Sequence, residues 1–567
     1  MFILPSAIGS IQQDPIRRIF KQASLDLQFA QTKSLVDATT GSNLVDFTRA
    51  SSGTYIGSDG LIKTATTNLL LRSEEFDDAA WIQNNGTIAS NSVVAPDAKS
   101  TGDKLVENTV NTNHSVRNAL GISTGIAPVT FSIFVKAAGR TQARLEIFET
   151  GGVGTIGSTV FDLSSGTIVA GNNFSAAIVD AGNGWYRCSI TDTPVVGTSV
   201  LCFTYPAVGG TSLYTGDGTS GLYLWGAQLE QSSTVGEYVK TTSTINSAPR
   251  FDHDPTTGES LGLLVEESRT NLLTYSEDFE NIAWQTTNPG EVTLITGVAD
   301  PAGGNNATTL YHDSAAEDTG WLRRIISGTS GQPYTLSFWA RRRIGTGDLI
   351  AVVGNNVNQT INGVTSDWQR FSVVNTPTSS LVRSYLKVDS AGDQFDIWGA
   401  QLEAGSFPTS YIPTTSSTIT RAADVLTDTS TGANIRTLYA EFRSPGLGTQ
   451  PIASLDDDTA NERIELLTSG TDPKLLVTDG GSVVADIDAG TVTANTLAKL
   501  AARFATDDYA VAVDGGTLQT DTSGTLPTVD RIRIGSNQAG DYFTGTIARI
   551  TGWDEELPDT AVEGITQ

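Results

Sequence analysis

The stretch TNLLLRSEEFDDAAW at residues 67–81 returns almost unchanged as TNLLTYSEDFENIAW at residues 270–284. Its landmark residues keep one spacing, since Asn68 and Trp81 lie 203 residues before Asn271 and Trp284. Three further pairs of segments match: PVTFSIFVKAAG (128–139) with PYTLSFWARRRI (333–344), GWYRCSI (184–190) with DWQRFSV (367–373), and LYLWGAQLE (222–230) with FDIWGAQLE (395–403). A period of about two hundred residues indicates a duplicated domain and not a solenoid.

Length and charge limit the class of protein. The chain has 567 residues, which predicts about three or four domains. Its net charge of −27 opposes nucleic-acid binding and favours solubility. It has no run of about 18 apolar residues, and its start, MFILPSAIGSIQQ, lacks the basic region of a secretion signal. We therefore expect synthesis in a cytoplasm, with neither nucleic acid nor membrane as a partner.

The residue usage predicts β-structure. The chain is rich in Gly, Thr, Ser and Val and has a single Met, a composition typical of short strands joined by tight turns. Cys188 and Cys202 are too few for a disulfide framework, so we expect buried thiols. One helix is predicted in DPIRRIFKQ, with Asp14 as its N-cap and Pro15 at its first position.

Each repeat begins and ends with apolar strands, and apolar and polar residues alternate in the strands between them. This pattern favours an antiparallel sandwich of the jelly-roll type. NLLTYSEDFENIAW, YTLSFWAR, WQRFSV and FDIWGAQLE resemble the jelly-roll carbohydrate-binding modules of xylanases and related glycanases. We assign residues 67–244 to a first jelly roll and residues 268–420 to a second. The resemblance implies glycan binding on a sheet face.

The central strand predicts which side chains would face a glycan. Thr335, Ser337, Trp339 and Arg341 point to one side of the strand, and Tyr334, Leu336, Phe338 and Ala340 point to the other. An aromatic ring with polar neighbours suits a sugar, so Trp339 and Arg341 are predicted glycan ligands, as are Phe134 and Lys136 in the first repeat. The alternative is that Trp339 and Phe134 pack under a loop or against another chain.

Sandwiches of this family often carry a structural calcium ion near the opening strand. The resemblance implies Glu277, Asp278 and Asp396 as oxygen ligands, and a solvated acidic edge is the alternative. No other cofactor is expected. Asp252, His253 and Asp254 invite a metal interpretation, but their position before Pro-Thr-Thr-Gly favours a capped turn.

The segments around the first repeat carry another resemblance. LDLQFAQTKSLVDATTGSNLVDFTRASSGTYIGSDGLIKTATTN (25–68) and SAPRFDHDPTTGESLGLLVEESRTNLL (247–273) are similar to an N-terminal module of tailed-phage structural proteins. Residues 26–66 and 245–267 are therefore predicted to pair as one small β-module, with the first jelly roll inserted between them. The resemblance implies a virion protein.

The last part of the chain, residues 424–567, forms a third type of segment. LYAEFRSPG, KLAARFATDDYAVAVDGG and RIRIGSNQAGDYFTGTIARITGWDEELP resemble a laminin-G or concanavalin-like sandwich. Residues 502–513 alternate on either side of an Asp507-Asp508 turn, as a hairpin would. The resemblance supplies no ligand set for this chain, and a purely structural sandwich is the alternative.

Residues 1–25 are apolar and basic in an otherwise acidic chain. This segment is too short for a core of its own, so we predict an arm that anchors the protein to other phage structural proteins. Arg17, Arg18, Phe20 and Lys21 are its predicted anchoring residues, and a disordered leader is the alternative. A homo-oligomer is expected, with a trimer assumed as for fibres, although no heptad stretch is present.

Catalysis is not expected. His114, His253 and His312 lie in separate segments, away from any nucleophile motif, and no metalloprotease or phosphate-loop motif occurs. The prediction is an all-β protein on the virion surface: two jelly rolls and a concanavalin-like sandwich behind a short N-terminal arm with one helix. A tail fibre or receptor-binding adhesin is the leading function. A capsid decoration or head fibre is the alternative, and a polysaccharide depolymerase is a third.

Overall fold

The computed structural model describes residues 15–197, 199–286, 292–312, 321–354, 359–445 and 448–567. The predicted all-β class is confirmed: tandem β-sandwiches account for these ranges, and their strands pair antiparallel. The chain divides into two compact units. One comprises Arg49–Ser52 and Ala65–Ala248, and the other comprises Gly53–Thr64, Pro249–Gln567 and the described residues up to Thr48.

The smaller unit is the first sandwich. Its first sheet consists, in order, of Thr167–Gly171, Gly154–Asp162, Gln142–Thr150, Ser199–Ala207, Ser115–Asn118 and Trp81–Asn84. Its second sheet consists of Ser175–Gly182, Trp185–Asp192, Val129–Ala138, Gly221–Glu230, Gly102–Glu107 and Gly86–Val93. Two short ribbons pair Asn111–Asn113 with Leu213–Thr215 and Thr67–Asn68 with Asn246–Ser247. Cys188 and Cys202 are buried free thiols in the core between the sheets.

The second sandwich repeats this plan with shorter sheets. One sheet consists of Gln285–Thr286, Trp321–Ser327, Leu381–Val388, Leu349–Gly354 and Gln359–Ile361. The other, called here the tryptophan sheet, consists of Val292–Val298, Ala307–His312, Gln394–Ala404, Tyr334–Ile344 and Gln369–Asn375. Arg269–Asn271 pairs with Ile419–Arg421 beside them. Tyr334, Leu336, Phe338 and Ala340 lie in the core, so the strand alternates with the predicted parity.

The C-terminal sandwich is the largest. One sheet consists of Arg250–His253, Ser260–Val265, Gly545–Trp553, Thr437–Arg443, Ala498–Ala505, Asp508–Val513 and Gln519–Asp521, with Leu25–Leu27 also paired to Gly545–Trp553. The other consists of Asp46–Thr48, Val425–Asp428, Arg531–Ile534, Thr449–Asp456, Arg463–Ser469, Asp472–Asp479 and Ser482–Asp488. Short helices span Phe29–Thr32 and Asp559–Ile565, and a 3-10 turn spans Gly432–Asn434.

The segments predicted to form a small separate β-module lie elsewhere. Leu25–Leu27 and Ser260–Val265 extend one sheet of the C-terminal sandwich, and Asp46–Thr48 extends the other. Segments this short bury too little surface to be stable alone, and as added strands they share a large core. The two predicted halves do contact each other: Ile56 N donates to Asp252 Oδ1 at 2.6 Å, and Arg250 Nη1 donates to the Thr54 carbonyl at 3.0 Å.

The hairpin Thr54–Ile56 and Ile62–Thr64, called here the cover hairpin, is the part of this region that reaches the second sandwich. Thr54 Oγ1 donates to the Tyr411 carbonyl at 2.6 Å, and Ile62 N donates to the Pro301 carbonyl at 3.0 Å. Ile62 and Ile56 pack against the outer side of the tryptophan sheet. The cover hairpin therefore shields part of a face that the sequence predicts to be open.

The repeated asparagine ties the two ends of each sandwich together. Asn68 Nδ2 donates to the carbonyls of Ala227 and Val239, at 2.9 and 2.8 Å, and Asn271 makes the corresponding bonds in the second sandwich. Both asparagines are fully buried. A buried amide with all its partners in place is costly to replace. The identity of this residue in both copies is thus a requirement of the fold.

The repeated Phe and Trp close the opening loop in the same way. Trp81 Nε1 donates to the Arg72 carbonyl at 2.9 Å, and the Phe76 ring lies 4.7 Å from the Trp81 ring. Arg72 has a positive φ of 51°, as does its counterpart Tyr275 at 56°. The duplicated fifteen residues therefore encode one loop conformation twice.

The described part of the N-terminal arm is docked on its own chain. The predicted helix spans Pro15–Phe20, and Asp14, its predicted N-cap, lies outside the described residues, as does the rest of residues 1–14. The Phe20 ring lies 5.3 Å from that of Tyr439, and Trp553 Nε1 donates to the Ile19 carbonyl at 3.0 Å. Phe20 thus fills a groove of the C-terminal sandwich, whereas the predicted anchoring residues Arg17, Arg18 and Lys21 are exposed.

Candidate functional site

The larger unit contains a cleft of about 960 Å³, called here the main cleft. Three parts of the chain form its walls: the cover hairpin, the tryptophan sheet and the C-terminal sandwich. Its lining includes Tyr55, Asp252, Trp339, Trp368, Arg370, Tyr411, Arg443, Asn495, Thr544 and Thr546. Its volume is that of a typical small-ligand site, and its lining mixes rings, hydroxyls and charges.

Trp339 lies in the floor of this cleft. It is 7% exposed, and its ring meets those of Trp398 and Tyr411 edge-on, with centroids 5.4 Å away in each case. The guanidinium of Arg370 lies 4.7 Å from its ring centroid. The predicted open aromatic plate is therefore a buried cluster, because the cover hairpin and these neighbours pack over it.

Phe134, its counterpart in the first sandwich, has similar surroundings. The ring is half-buried and lies 5.3 Å from Trp225 and 5.9 Å from Tyr238, both edge-on. Arg187 lies 5.4 Å from its centroid, as Arg370 does over Trp339. Lys136 is half-buried two residues further along the strand. Neither residue lines the main cleft.

Trp368 is the ring that the main cleft offers to a ligand, and the sequence interpretation did not select it. Its side chain is half-buried, and its indole N–H has no hydrogen-bond partner within the described ranges. Its counterpart Trp185 is 1% exposed and donates to the Val94 carbonyl at 3.0 Å. A tryptophan occurs at this position in both repeats, so the sequence did contain a signal for this residue. The two tryptophans differ in exposure, and only the structure shows that difference.

Arg341, a predicted glycan ligand, lies beside Trp368. Its guanidinium carbon is 4.8 Å from the centroid of the Trp368 ring, and its Nε donates to Asp396 Oδ2 at 2.8 Å. The ion pair and the ring together fix the orientation of Arg341. Trp339 and Arg341 therefore both lie near the main cleft, but their positions differ from the prediction. Trp339 is packed in the floor of the cleft, and Arg341 lies at its edge.

Polar groups also line the main cleft. Thr365, Gln369 and Asn495 are exposed there, and such side chains suit a ligand with many hydroxyl groups. The hydroxyls of Thr544 and Thr546 are buried and have no hydrogen-bond partner among the described residues. Asp252 adds a carboxyl group to the lining, and burial raises the pKa of this group to about 6.

A buried ion network supports the cleft from below. Arg250 donates to Asp424 Oδ2 at 2.6 Å and lies 2.7 Å from Glu266 Oε2, and all three side chains are nearly inaccessible. Although burial opposes its ionisation, the charges of Arg421 and Arg250 lower the pKa of Glu266 to about 2. The network joins strands of the C-terminal sandwich to the end of the second sandwich, so it fixes the shape of the cleft.

The three predicted calcium ligands do not converge. Glu277 accepts a hydrogen bond from the Tyr411 hydroxyl at 3.0 Å, and burial raises its pKa. Asp396, on the strand Gln394–Ala404, is paired with Arg341, and Asp278 accepts from Asn281 Nδ2 at 3.4 Å within the opening loop. Within the described ranges, no group of three or more His, Cys, Asp and Glu side chains is arranged to hold a metal ion.

The Asp252, His253 and Asp254 cluster is divided among separate tasks. Asp254 Oδ1 accepts from the backbone N–H groups of Thr256 and Thr257, at 2.9 and 2.8 Å, which is the predicted capped turn. The His253 Nδ1 atom lies 3.0 Å from the Ile56 carbonyl.

Among the described residues, no helix is long and apolar enough to cross a membrane.

No family model and no curated protein matches the chain. Solved structures with similar folds include the tandem CBM22-1–CBM22-2 domain of Xyn10C from Paenibacillus barcinonensis, with 12% identity, a TM-score of 0.19, and coverage of 60% of this chain and 98% of that one. Mouse laminin alpha1 domains LG4-5 give 11% identity, a TM-score of 0.19, and coverage of 41% and 88%. The enzymatically active domain of bacteriophage CBA120 tailspike protein 4 gives 17% identity, a TM-score of 0.19, and coverage of 23% and 21%. These likenesses identify no ligand for this chain.

Proposed function

We propose that this chain is a carbohydrate-binding protein and that the main cleft holds the glycan. The observation that carries the proposal is that the half-buried Trp368 ring lines the same cleft as the exposed polar side chains of Gln369 and Asn495. The C–H face of a sugar ring packs on an indole, while its hydroxyls need donors and acceptors nearby.

We further propose that the protein is displayed on a tailed-phage virion, as a tail fibre or receptor-binding adhesin made in the host cytoplasm. The support is the resemblance of residues 25–68 and 247–273 to phage structural proteins, together with the exposed Arg17, Arg18 and Lys21. Those three cations would contact other virion proteins. Many copies on one particle would turn weak glycan contacts into firm adhesion.

The test of glycan binding is a screen of the purified full chain on host-envelope polysaccharide and a glycan array. Binding of any glycan found in this way is then measured by calorimetry with Trp368→Ala, which we expect to weaken binding about five- to tenfold, since stacking on one ring contributes about 1–1.5 kcal/mol. Trp368→Tyr should recover most of the affinity. Phe174→Ala is the matched control, because Phe174 is an exposed aromatic residue outside the cleft.

Two results would count against the proposal. If no glycan binds even a multivalent display of the chain, the adhesin role fails and a capsid decoration or head fibre becomes the better function. If bound polysaccharide is shortened during incubation, the protein is a depolymerase and our assignment as a non-enzyme fails. Particles lacking the protein should assemble but fail to adsorb to the host, and normal adsorption would exclude the fibre role.

A further inference from the structure

A second cavity, of about 590 Å³, adjoins the main cleft and is called here the arginine pocket. Its lining consists of Arg341, Arg342, Arg343, Ser366, Asp396 and the segment 295–299. Arg341 belongs to this pocket and also contacts Trp368 of the main cleft, so one side chain borders both cavities.

The pocket carries an excess of positive charge in a strongly acidic chain. Arg341 and Arg343 share a single carboxylate, that of Asp396, at 2.8 and 3.7 Å. Arg342 is 3.8 Å from Asp393. Three guanidinium groups are therefore matched by two carboxylates, and one positive charge is left without a counter-ion within the residues described.

The shared carboxylate holds the two arginines in place. Asp396 is 1% exposed and also accepts a hydrogen bond from the Thr309 hydroxyl at 2.6 Å. Arg341 uses only its Nε on Asp396, and Arg343 uses only its Nη1, on Thr309 at 3.0 Å. The remaining N–H groups of both side chains have no hydrogen-bond partner in the described part of the chain. Fixed guanidinium groups with free N–H donors bind oxyanions well.

The segment 295–299, on the edge strand of the same sheet, borders the pocket and contains a bulge. The ladder between Val292–Val298 and Ala307–His312 shifts register between Ile295 and Val298, so Thr296 and Gly297 leave the pairing. Gly297 has a φ of 78°, and a Cβ built there would meet no atom within 4 Å. This bulge therefore leaves open space at the border of the pocket.

We propose that the arginine pocket binds an oxyanion substituent, a carboxylate or a phosphate, of the glycan that lies in the main cleft. The inference rests on the proposed glycan-binding function and narrows its ligand to an acidic glycan. The Trp368 ring would hold one sugar, and Arg341 and Arg343 would take the anionic group of the same or the adjacent sugar.

The test uses matched pairs of glycans on the full chain. Uronic-acid oligosaccharides are compared with their carboxyl-reduced forms, and phosphorylated oligosaccharides with their dephosphorylated forms. We expect the acidic member of at least one pair to bind about tenfold more tightly, with the difference shrinking as salt is added. The pair that shows the difference identifies the anion as carboxylate or phosphate.

Arg343→Gln is the decisive variant, because Arg343 is half-exposed and its loss leaves the Arg341 pair with Asp396 in place. It should remove the preference for the acidic glycan and leave the affinity for the neutral form within about twofold. Arg323→Gln, on the other sheet of the same sandwich, is the control for loss of one charge. An unchanged preference in Arg343→Gln would overturn the inference.

The outcomes separate this inference from the proposed function. Equal binding of acidic and neutral forms, with loss of both in Trp368→Ala, would overturn the arginine pocket and keep the glycan site. Binding of inorganic phosphate or sulfate alone, with no glycan bound by the wild type, would overturn both and leave a simple anion site.

Discussion

The hydroxyl of Tyr411 donates a hydrogen bond to Glu277 Oε1 at 3.0 Å, beneath the floor of the main cleft. Its counterpart Tyr238 makes the corresponding bond to Glu74 Oε1 at 3.1 Å in the first sandwich. Each tyrosine also lies 2.7 Å from a serine of the opening loop, Ser276 or Ser73. The tail of each repeat is thus fastened to its own beginning by the same buried hydroxyl.

Tyr411→Phe should destabilise the larger unit by about 1–3 kcal/mol, because Glu277 loses a buried donor while the ring stays in place. Urea unfolding followed by tryptophan fluorescence measures the change. Tyr311→Phe is the control, since no hydrogen bond of the Tyr311 hydroxyl occurs in the described part of the chain. Equal midpoints for the two variants would contradict a structural role for this hydrogen bond.

Asp252→Asn should flatten the pH dependence of stability between about pH 4 and 6. The pKa of Asp252 in the folded state, about 6, exceeds its ordinary value of 3.8, so protonation of Asp252 favours the folded state. This contribution to the free energy of unfolding is complete below pH 3.8 and is lost as the pH rises through 6. The difference amounts to at most about 3 kcal/mol. Urea midpoints at several pH values test this, and an asparagine variant that still loses stability over the same interval would refute it.

Glu266→Gln should destabilise the larger unit far more than Asp252→Asn does, because Arg250 and Arg421 would remain buried with Asp424 as their one acidic partner in this network. Breaking a buried ion network typically costs about 3–5 kcal/mol. The depressed pKa of Glu266 means that its contribution is present above pH 4.5 and is lost only as the pH falls toward 2. A near-wild-type denaturation midpoint at pH 7 would show that the network is dispensable.

Phe20→Ala should destabilise the C-terminal sandwich by about 2 kcal/mol and change Trp553 fluorescence, since the Phe20 ring packs on Tyr439 and Trp553. Thermal unfolding of the full chain gives the measurement. An unchanged melting temperature would mean that the helix Pro15–Phe20 does not hold this position in solution.

Replacement of Arg17, Arg18 and Lys21 by Glu should leave the stability of the C-terminal sandwich nearly unchanged, because all three side chains are exposed. If these residues anchor the protein, the triple variant should be missing from purified particles while it remains folded. Deletion of residues 1–25 is a poorer test, because it also removes Leu25, which is fully buried in the core. Full incorporation of the triple variant would refute the anchoring role.

Part of the candidate site could be predicted from local sequence. Strand parity correctly separates Phe338 and Ala340, in the core, from Trp339 and Arg341 on the other side, because alternation depends only on neighbouring residues. Whether that other side meets solvent depends on the cover hairpin, which lies more than two hundred residues away in sequence. Trp368 shows the same limit, since its counterpart Trp185 occupies the corresponding position of the first repeat and is buried.

Composition and strand alternation specify the all-β class, internal similarity reveals the duplication, and local hydrogen bonds specify the loop conformation encoded by the repeated fifteen residues. The packed structure was needed to show which rings are exposed, where Phe20 docks, and that Asp252, Trp368 and Thr544 share one cleft. Those outcomes depend on which distant surfaces bury the most apolar area together. That is a property of the whole packed chain and cannot be read from any one segment.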